Sequence, residues 1–330
     1  MKLVLSCCLS FPFLITSFQA FSTDVSTYIV NGEVTTTTEF DTFVSLYYND
    51  GTSSGIYCGG TIIDDTHVLT AAHCVRAGYM DYTSIVQVDD ESSSTLSNAE
   101  KYTVASYYYR GDYVNSDSQL WPNDIAIIEL VSGINTSAST SPVATQTDYQ
   151  SSSEIFTAVG HGNTSTGVDD EETLLKTNLI YVSTSDCQTA LGSAITSNHL
   201  CFDGEQDGTT YKDATCQGDS GGPVYWNDNG DYKQVGIVSF GPSTCGLASS
   251  DVVTVTTEIS DYTDWIEGVI NNSPSSLDVV TYKCTISGSS VSCAQYSSSS
   301  SSSSSGGGGS IPLFSSLCLL IAALVRKHRH

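Results

Sequence analysis

A serine, an imidazole and a carboxylate, far apart along this chain, stand in contexts suited to attack on a carbonyl. Ser220 lies in Cys216-Gln217-Gly218-Asp219-Ser220-Gly221-Gly222-Pro223. The glycines let the backbone turn sharply and approach a substrate closely. Ser220 is therefore a candidate nucleophile, and the amides of Gly218 and Ser220 are candidate donors to an oxygen that gains charge during attack. His73 lies beside Cys74 in the block CGGTIIDDTHVLTAAHC, which begins at Cys58. If Cys58 bonds Cys74, the imidazole stands on a stapled turn rather than on a mobile loop. Asp124 heads the apolar run NDIAIIEL. A carboxylate buried there and hydrogen-bonded to an imidazole would fix its tautomer and stabilise the imidazolium. His67, His161 and His199 have no such context and read as structural or solvent-exposed.

The elements that must position these groups are strands. Phe43 to Tyr48, Thr61 to Ile63, Ile85 to Val88, Ile125 to Leu130, Ile155 to Val159, Asn178 to Val182, Gln234 to Ser239 and Val252 to Thr257 are short β-branched and aromatic runs between turn clusters. Asp261 to Val269 predicts one terminal helix, with Trp265, Ile266 and Val269 able to share a face. Serine, threonine and tyrosine abound and long helical patterns are scarce, so an all-β domain, a sandwich or a barrel, is expected. The 330 residues allow one large domain or two small ones. With 36 acidic against 11 basic residues, a net charge of -25, binding to nucleic-acid phosphates is excluded as a class.

Of eleven cysteines, Cys7 and Cys8 lie in an apolar leader and Cys318 in an apolar tail. The remaining eight suit four disulfides in an oxidising compartment. No Cys-x-x-Cys pair occurs between leader and tail, which argues against zinc. Residues 1–22 read as a secretory signal peptide and 23–28 as a short propeptide. The acids Asp89, Asp90, Glu91 and Glu100 read as a solvated loop, with a calcium loop as the alternative, because their spacing is not diagnostic of calcium ligands. No cofactor and no metal is expected.

His73 within TAAHC, Asp124 within NDIAII and Ser220 within GDSGGP, in that order, together with Ile29-Val30-Asn31-Gly32, closely resemble the chymotrypsin-like (trypsin-like) serine proteases. The resemblance spans 29–271. It implies two six-stranded antiparallel β-barrels with the site between them and a C-terminal helix. It makes Ser220 the nucleophile, His73 its base, Asp124 the orienting acid, and the Gly218 and Ser220 amides the oxyanion hole. It pairs Cys58 with Cys74, Cys187 with Cys201 and Cys216 with Cys245. Cys284 and Cys293 are left to pair in a hairpin-like appendage, residues 272–296. The resemblance also implies a zymogen in which a freed Ile29 ammonium pairs with Asp219; a buried ion pair of this kind can act as a switch. Tyr28 stands where a basic residue is usual, so a trypsin-like activator would not cut there.

The family's pocket floor falls six residues before the nucleophile, on Ala214. Asp213 is one step further, and the loop from Cys201 is long, so Lys/Arg specificity through Asp213 is the alternative. Ser239-Phe240-Gly241 matches the segment that pairs with substrate backbone. Thr254 falls on the other pocket wall, where it would shorten the pocket and favour small or medium apolar side chains before the cut. An uncompensated buried cation there would cost several kcal/mol.

Residues 297–310 are a Ser/Gly linker, a flexible tether. The apolar-plus-basic tail, 311–330, resembles the GlyGly-CTERM sorting signal of Gram-negative bacteria, which implies type II export and removal by a sorting protease. A lipid-anchor signal and a permanent anchor are the alternatives; the apolar run is short for a full span. The expectation is a secreted, surface-associated serine endopeptidase working through an acyl-enzyme. Its partners would be protein or peptide substrates, an activating protease and the tail-processing protease. The rival class is a catalytically silent surface-binding module.

Overall fold

The computed structural model describes residues 29–75, 78–134, 147–168, 172–206, 210–271 and 278–296. The signal peptide, propeptide, Ser/Gly linker and sorting tail lie outside the described residues.

After a two-residue strand β1 (Glu33–Val34), the chain forms β2 (Phe43–Asn49), β3 (Ser54–Asp64), β4 (His67–Thr70), the short helix α1 (Ala72–Val75), β5 (Thr83–Val86), α2 (Ser93–Asn98), β6 (Tyr102–Arg110) and β7 (Ala126–Leu130). These strands pair antiparallel in the order β6-β5-β2-β3-β4-β7, and β7 returns to β6, closing a six-stranded barrel. Its strands bury Leu46, Val68, Leu69, Ile85, Tyr107 and Ile127 in one hydrophobic cluster. Next come β8 (Phe156–Gly160), β9 (Leu175–Val182), α3 (Thr184–Leu191), β10 (His199–Asp203), β11 (Pro223–Asp228), β12 (Asp231–Phe240) and β13 (Thr254–Glu258). Their order β9-β10-β13-β12-β11-β8 closes through β8–β9 into a second barrel, with β1 attached to β9. Phe156, Leu179, Phe202, Val224 and Val235 fill it. Closure pairs the first and last strands of each six-stranded set, and the remaining edges of β6 and β9 take up the strand Val279–Ser287 and β1.

The expected terminal helix begins later than its apolar pattern. A single 3₁₀ turn, Ile259–Tyr262, precedes α4 (Thr263–Ile270). Its buried Trp265, Ile266 and Val269 join the first barrel's core cluster, so the last helix covers the first barrel.

Several strands carry no clean alternation in the sequence. β6 contains three consecutive tyrosines, all buried. β3 runs through Gly59-Gly60, which resembles a turn signal. The reason for Gly59 is a crossing of two backbones: a Cβ there would lie 2.8 Å from the Cα of Gly222, in the Ser220 loop.

After α4 a hairpin, β14 (Val279–Ser287) and β15 (Ser290–Tyr296), extends the first barrel's sheet by pairing with β6, Val279 opposite Arg110 and Lys283 opposite Ser106. Gly288 turns it at φ 63°, a conformation glycine adopts without penalty. Cys284 lies opposite Cys293, and they are bonded.

Replacing both cysteines, Cys284→Ser with Cys293→Ser, removes a cross-link over a short loop, with an expected local cost of about 2–3 kcal/mol. Hydrogen exchange will lose protection at 281–296 while both barrels keep theirs.

Candidate active site

Asp124 enters the interior at the head of β7, and its side chain is fully buried. Burying a carboxylate costs several kcal/mol unless its oxygens are satisfied. Here Oδ1 accepts the His73 backbone N–H at 2.9 Å. Oδ2 accepts the His73 ring Nδ1–H at 2.8 Å and the Ser239 hydroxyl at 2.6 Å. Because a carboxylate only accepts, Nδ1 carries the proton, and Nε2 of a neutral ring is left with its lone pair. The backbone carbonyl of Asp124 accepts from the Thr257 hydroxyl at 2.8 Å.

His73 sits in α1, and the Cys58–Cys74 disulfide ties that turn to β3. Burial works against charging the ring, but the Asp124 charge and hydrogen bond outweigh it and raise the pKa above the ordinary histidine value. Ser239 reaches Asp124 from β12, where the register with β13 shifts between Val238 and Phe240. Such an irregularity re-aims a side chain, here onto the carboxylate.

Ser220 occupies a turn held on both sides. Its carbonyl accepts from the Gly59 amide at 2.8 Å, and the Gly221 amide donates to Val238 at 2.8 Å. Gly221, at φ 76°, packs so closely that a Cβ would lie 2.2 Å from Thr70 Oγ1 and 3.1 Å from Cys74 Sγ. The Ser220 loop is thus locked against the block that carries His73. Gly218 sits at φ 106°, against Gly162. Within the loop the amides of Asp219, Gly221 and Gly222 have carbonyl acceptors; those of Gly218 and Ser220 have none among the described residues. The Ser220 hydroxyl makes no hydrogen bond to His73 here, a contact that commonly tightens only once substrate is in place.

Asp219 is buried behind the loop. Its carboxylate accepts from the amides of Gly162 and Cys216, both at 2.8 Å. Burial pushes its pKa up to about 7, against the pull of those two amides. A Cβ on Gly162 would lie 2.3 Å from the Asp219 carboxyl carbon. Ile29 and Val30 are buried, and the Val30 carbonyl accepts from the Ala214 amide at 3.3 Å.

The two pocket-floor candidates face different surroundings. Ala214 is fully buried among Val30, Cys216, Cys245 and Val253. Asp213 instead lines a separate cavity of about 300 Å³ with Asn31, Lys176 and Asn178. Thr254 Oγ1 lies 3.0 Å from Thr215 Oγ1 and accepts from the Thr215 amide at 3.1 Å. Gly241 passes close to Val253, and a Cβ there would be 2.8 Å from its carbonyl. Phe240 packs against Trp121 with ring centroids 5.1 Å apart.

All four expected disulfides are present: Cys58–Cys74, Cys187–Cys201, Cys216–Cys245 and Cys284–Cys293. His67, His161 and His199 are buried and have hydrogen-bond partners other than Asp124. Asp89 and Asp90 accept from the amides of Thr37 and Ser92, at 2.5 and 2.8 Å. Among the described residues these acids do not converge with Glu91 and Glu100. Cys58, His73 and Cys74 do converge, but the disulfide leaves no thiolate to bind a metal. Sequence reasoning missed the roles of Thr215, Gly162 and Thr257, and that Ser239 serves Asp124. Each lies on a different segment from the group it contacts.

A family profile described as Trypsin matches residues 29–266. A venom serine protease of Polistes dominula is 35% identical over 66% of this chain and 77% of its own length. Trypsin II-P29 of Gallus gallus is 35% identical over 68% and 85% respectively. Chymotrypsin-like elastase family member 1 of Homo sapiens is 32% identical over 69% and 86%. The solved structure of neuropsin, a serine protease expressed in the limbic system of mouse brain, superposes with a TM-score of 0.60 at 26% identity, covering 72% of this chain and 98% of that one.

Titration of the His73 ring by NMR will give a pKa above the ordinary histidine value. Asp124→Asn removes the charge that raises it and leaves the burial that lowers it, so the pKa will fall by about one pH unit or more. An unchanged titration would mean that Asp124 does not govern the ring.

Proposed function

The chain belongs to the trypsin family and is a serine endopeptidase; from that premise we propose that Ser220, His73 and Asp124 are its catalytic triad. The observation that carries this is the buried Asp124 carboxylate, which holds Nδ1 of His73 beside the locked Ser220 loop. Ser220 Oγ attacks the scissile carbonyl while His73 Nε2 takes its proton. The oxygen that becomes negative is received by the amides of Gly218 and Ser220. The His73 proton then passes to the leaving amine, the C–N bond breaks, and an acyl-enzyme on Ser220 remains. Water, deprotonated by the same ring, releases the acid and restores Ser220. Asp124 stays ionised throughout.

We further propose that the enzyme is made as a zymogen. In the continuous chain Ile29 has φ 32°, a conformation that β-branched residues rarely adopt. That angle exists only while Ile29 is bonded to Tyr28. Cutting this bond removes the restraint and creates an ammonium, which in this reading pairs with the buried Asp219, whose carboxyl lacks a cation among the described residues. An activating protease that accepts Tyr28, or stepwise trimming from Thr23, would supply the cut.

The proposed preference before the cut is for small or medium apolar residues. Buried Ala214 and the Thr215–Thr254 hydroxyl pair support this, and Asp213 lines another cavity. The relatives include both a trypsin and an elastase, so similarity does not choose between them. Secretion, type II export and removal of the 311–330 tail by a sorting protease are proposed from the sequence pattern.

Enzyme starting at Ile29, tested on peptides differing only before the cut, will prefer Ala, Val or Leu over Arg or Lys; the reverse order would assign the pocket to Asp213. Ser220→Ala will lower kcat/KM by at least about 10⁴-fold and abolish fluorophosphonate labelling. No labelling of the intact Ser220 enzyme would mark a silent module. Mass spectrometry of the exported protein will find a C-terminus before residue 311, whereas an intact His330 would refute tail removal.

A further inference from the structure

Four tyrosines form a connected cluster one residue beyond the disulfide that anchors His73. Tyr57 precedes Cys58. Its ring meets Tyr79 at 5.1 Å, Tyr79 meets Tyr48 at 4.5 Å, and Tyr48 meets Tyr82 at 5.7 Å, centroid to centroid. Yet Tyr79 is 38% and Tyr82 47% exposed. Aromatic groups of this size usually bury more of their surface.

The cluster is held in place. The Thr83 hydroxyl donates its one hydrogen to the Tyr79 carbonyl at 2.9 Å, so at 2.8 Å it must accept from Tyr57. The Tyr107 hydroxyl donates to the Met80 carbonyl at 2.9 Å. The C-terminal hairpin adds a further tie, the Cys293 amide donating to Asp81 Oδ1 at 2.7 Å. The rings are thus ordered before anything binds, which lowers the entropy lost on binding.

Position and charge indicate the occupant. His73 hands its proton to the leaving amine, so the departing half of the substrate lies at His73. Cys74, next to His73, is bonded to Cys58, next to Tyr57, so the tyrosine cluster borders the covalent block that carries His73. Asp50 accepts from the Tyr48 hydroxyl at 2.7 Å, and Asp81 lies between Tyr79 and Tyr82 in the chain. Among the described residues no lysine or arginine lies over any of these four rings. Electron-rich ring faces beside carboxylates, on a chain of net charge -25, match a cationic side chain.

We propose that this tyrosine platform selects substrates carrying arginine or lysine two to four residues after the scissile bond. The inference rests on the triad assignment above. It also gives the hairpin a role, since the hairpin braces the Met80–Tyr82 turn.

The test uses enzyme starting at Ile29 and peptides identical up to the cut, with Arg, Ala or Glu at the second to fourth positions after it. Fluorophosphonate titration normalises the amount of competent enzyme. The Arg peptide should exceed the Glu peptide in kcat/KM by about fivefold or more, as one or two exposed cation–π contacts provide. Tyr79→Leu with Tyr82→Leu should bring that ratio near one, and Tyr79→Phe with Tyr82→Phe should keep it. If the double Leu variant does not fold, Tyr82→Ser, at the most exposed ring, carries the same comparison. A ratio near one in the parent enzyme overturns the proposal. So does a preference that survives the Leu variants and disappears in high salt, because long-range charge would then be its source. If the parent enzyme is neither labelled nor active on any peptide, the triad assignment fails, and the platform with it.

Discussion

A carboxylate without a cation, taken fully out of water, is the constraint on which this site depends. Asp124 tolerates its burial because one imidazole N–H, one backbone amide and one hydroxyl converge on its two oxygens. Those donors come from α1 and β12, and the carboxylate itself heads β7. The first barrel and the second must therefore meet at this point with an accuracy set by hydrogen-bond lengths. A shift of about 1 Å would leave the charge partly unsatisfied and misdirect the ring. Fold and chemistry share one requirement here: the contact that compensates the buried charge is the contact that fixes the His73 tautomer.

A second constraint is steric. The nucleophile turn crosses β3 and the end of β4 so closely that Gly59, Gly221 and Gly222 have no room for side chains. Close backbone approach permits the Gly59–Ser220 hydrogen bond and draws the turn against Thr70 and Cys74. Glycine is costly in a strand interior and in the unfolded chain. Its presence within β3 makes sense only through this crossing. The disulfides act in the same direction, joining His73's turn to β3 and the nucleophile segment to the Cys245 loop.

Asp219 presents the opposite electrostatic case. It is as deeply placed as Asp124 but has only two amide donors, and burial lifts its pKa to about 7. Asp124 is met by three donors from two segments, whereas Asp219 has two amide donors and no cation among the described residues. An ammonium created at Ile29 would favour the ionised form, and the energy of that pairing would be delivered to the turn bearing Gly218 and Ser220. The buried Val30–Ala214 contact joins Val30 to the segment that leads through Cys216 into the Ser220 loop.

Local pattern was enough for much of this protein. The all-β class and the terminal helix were legible because β-branched runs and apolar periodicity act over a few residues; glycines marked Ser220, and resemblance joined it to His73 and Asp124. Three cysteine pairs and the two closed barrels came through resemblance and not through spacing, and Cys284 and Cys293 were the two left to pair. β6 and β10 stayed hidden, since buried tyrosines and a mixed polar run do not alternate, and β3 was cut short by glycines whose reason lies in another loop. Nothing near Ser239 says that its hydroxyl turns to Asp124, because an irregular register between two strands does that. Nothing near Asp213 or Ala214 says which of them borders the pocket. The sequence alone determined which chemical groups exist and which short segments present them. Only the tertiary structure decided which groups meet, because hydrogen bonds, close backbone crossings and buried charges depend on distances between segments that chain order does not encode.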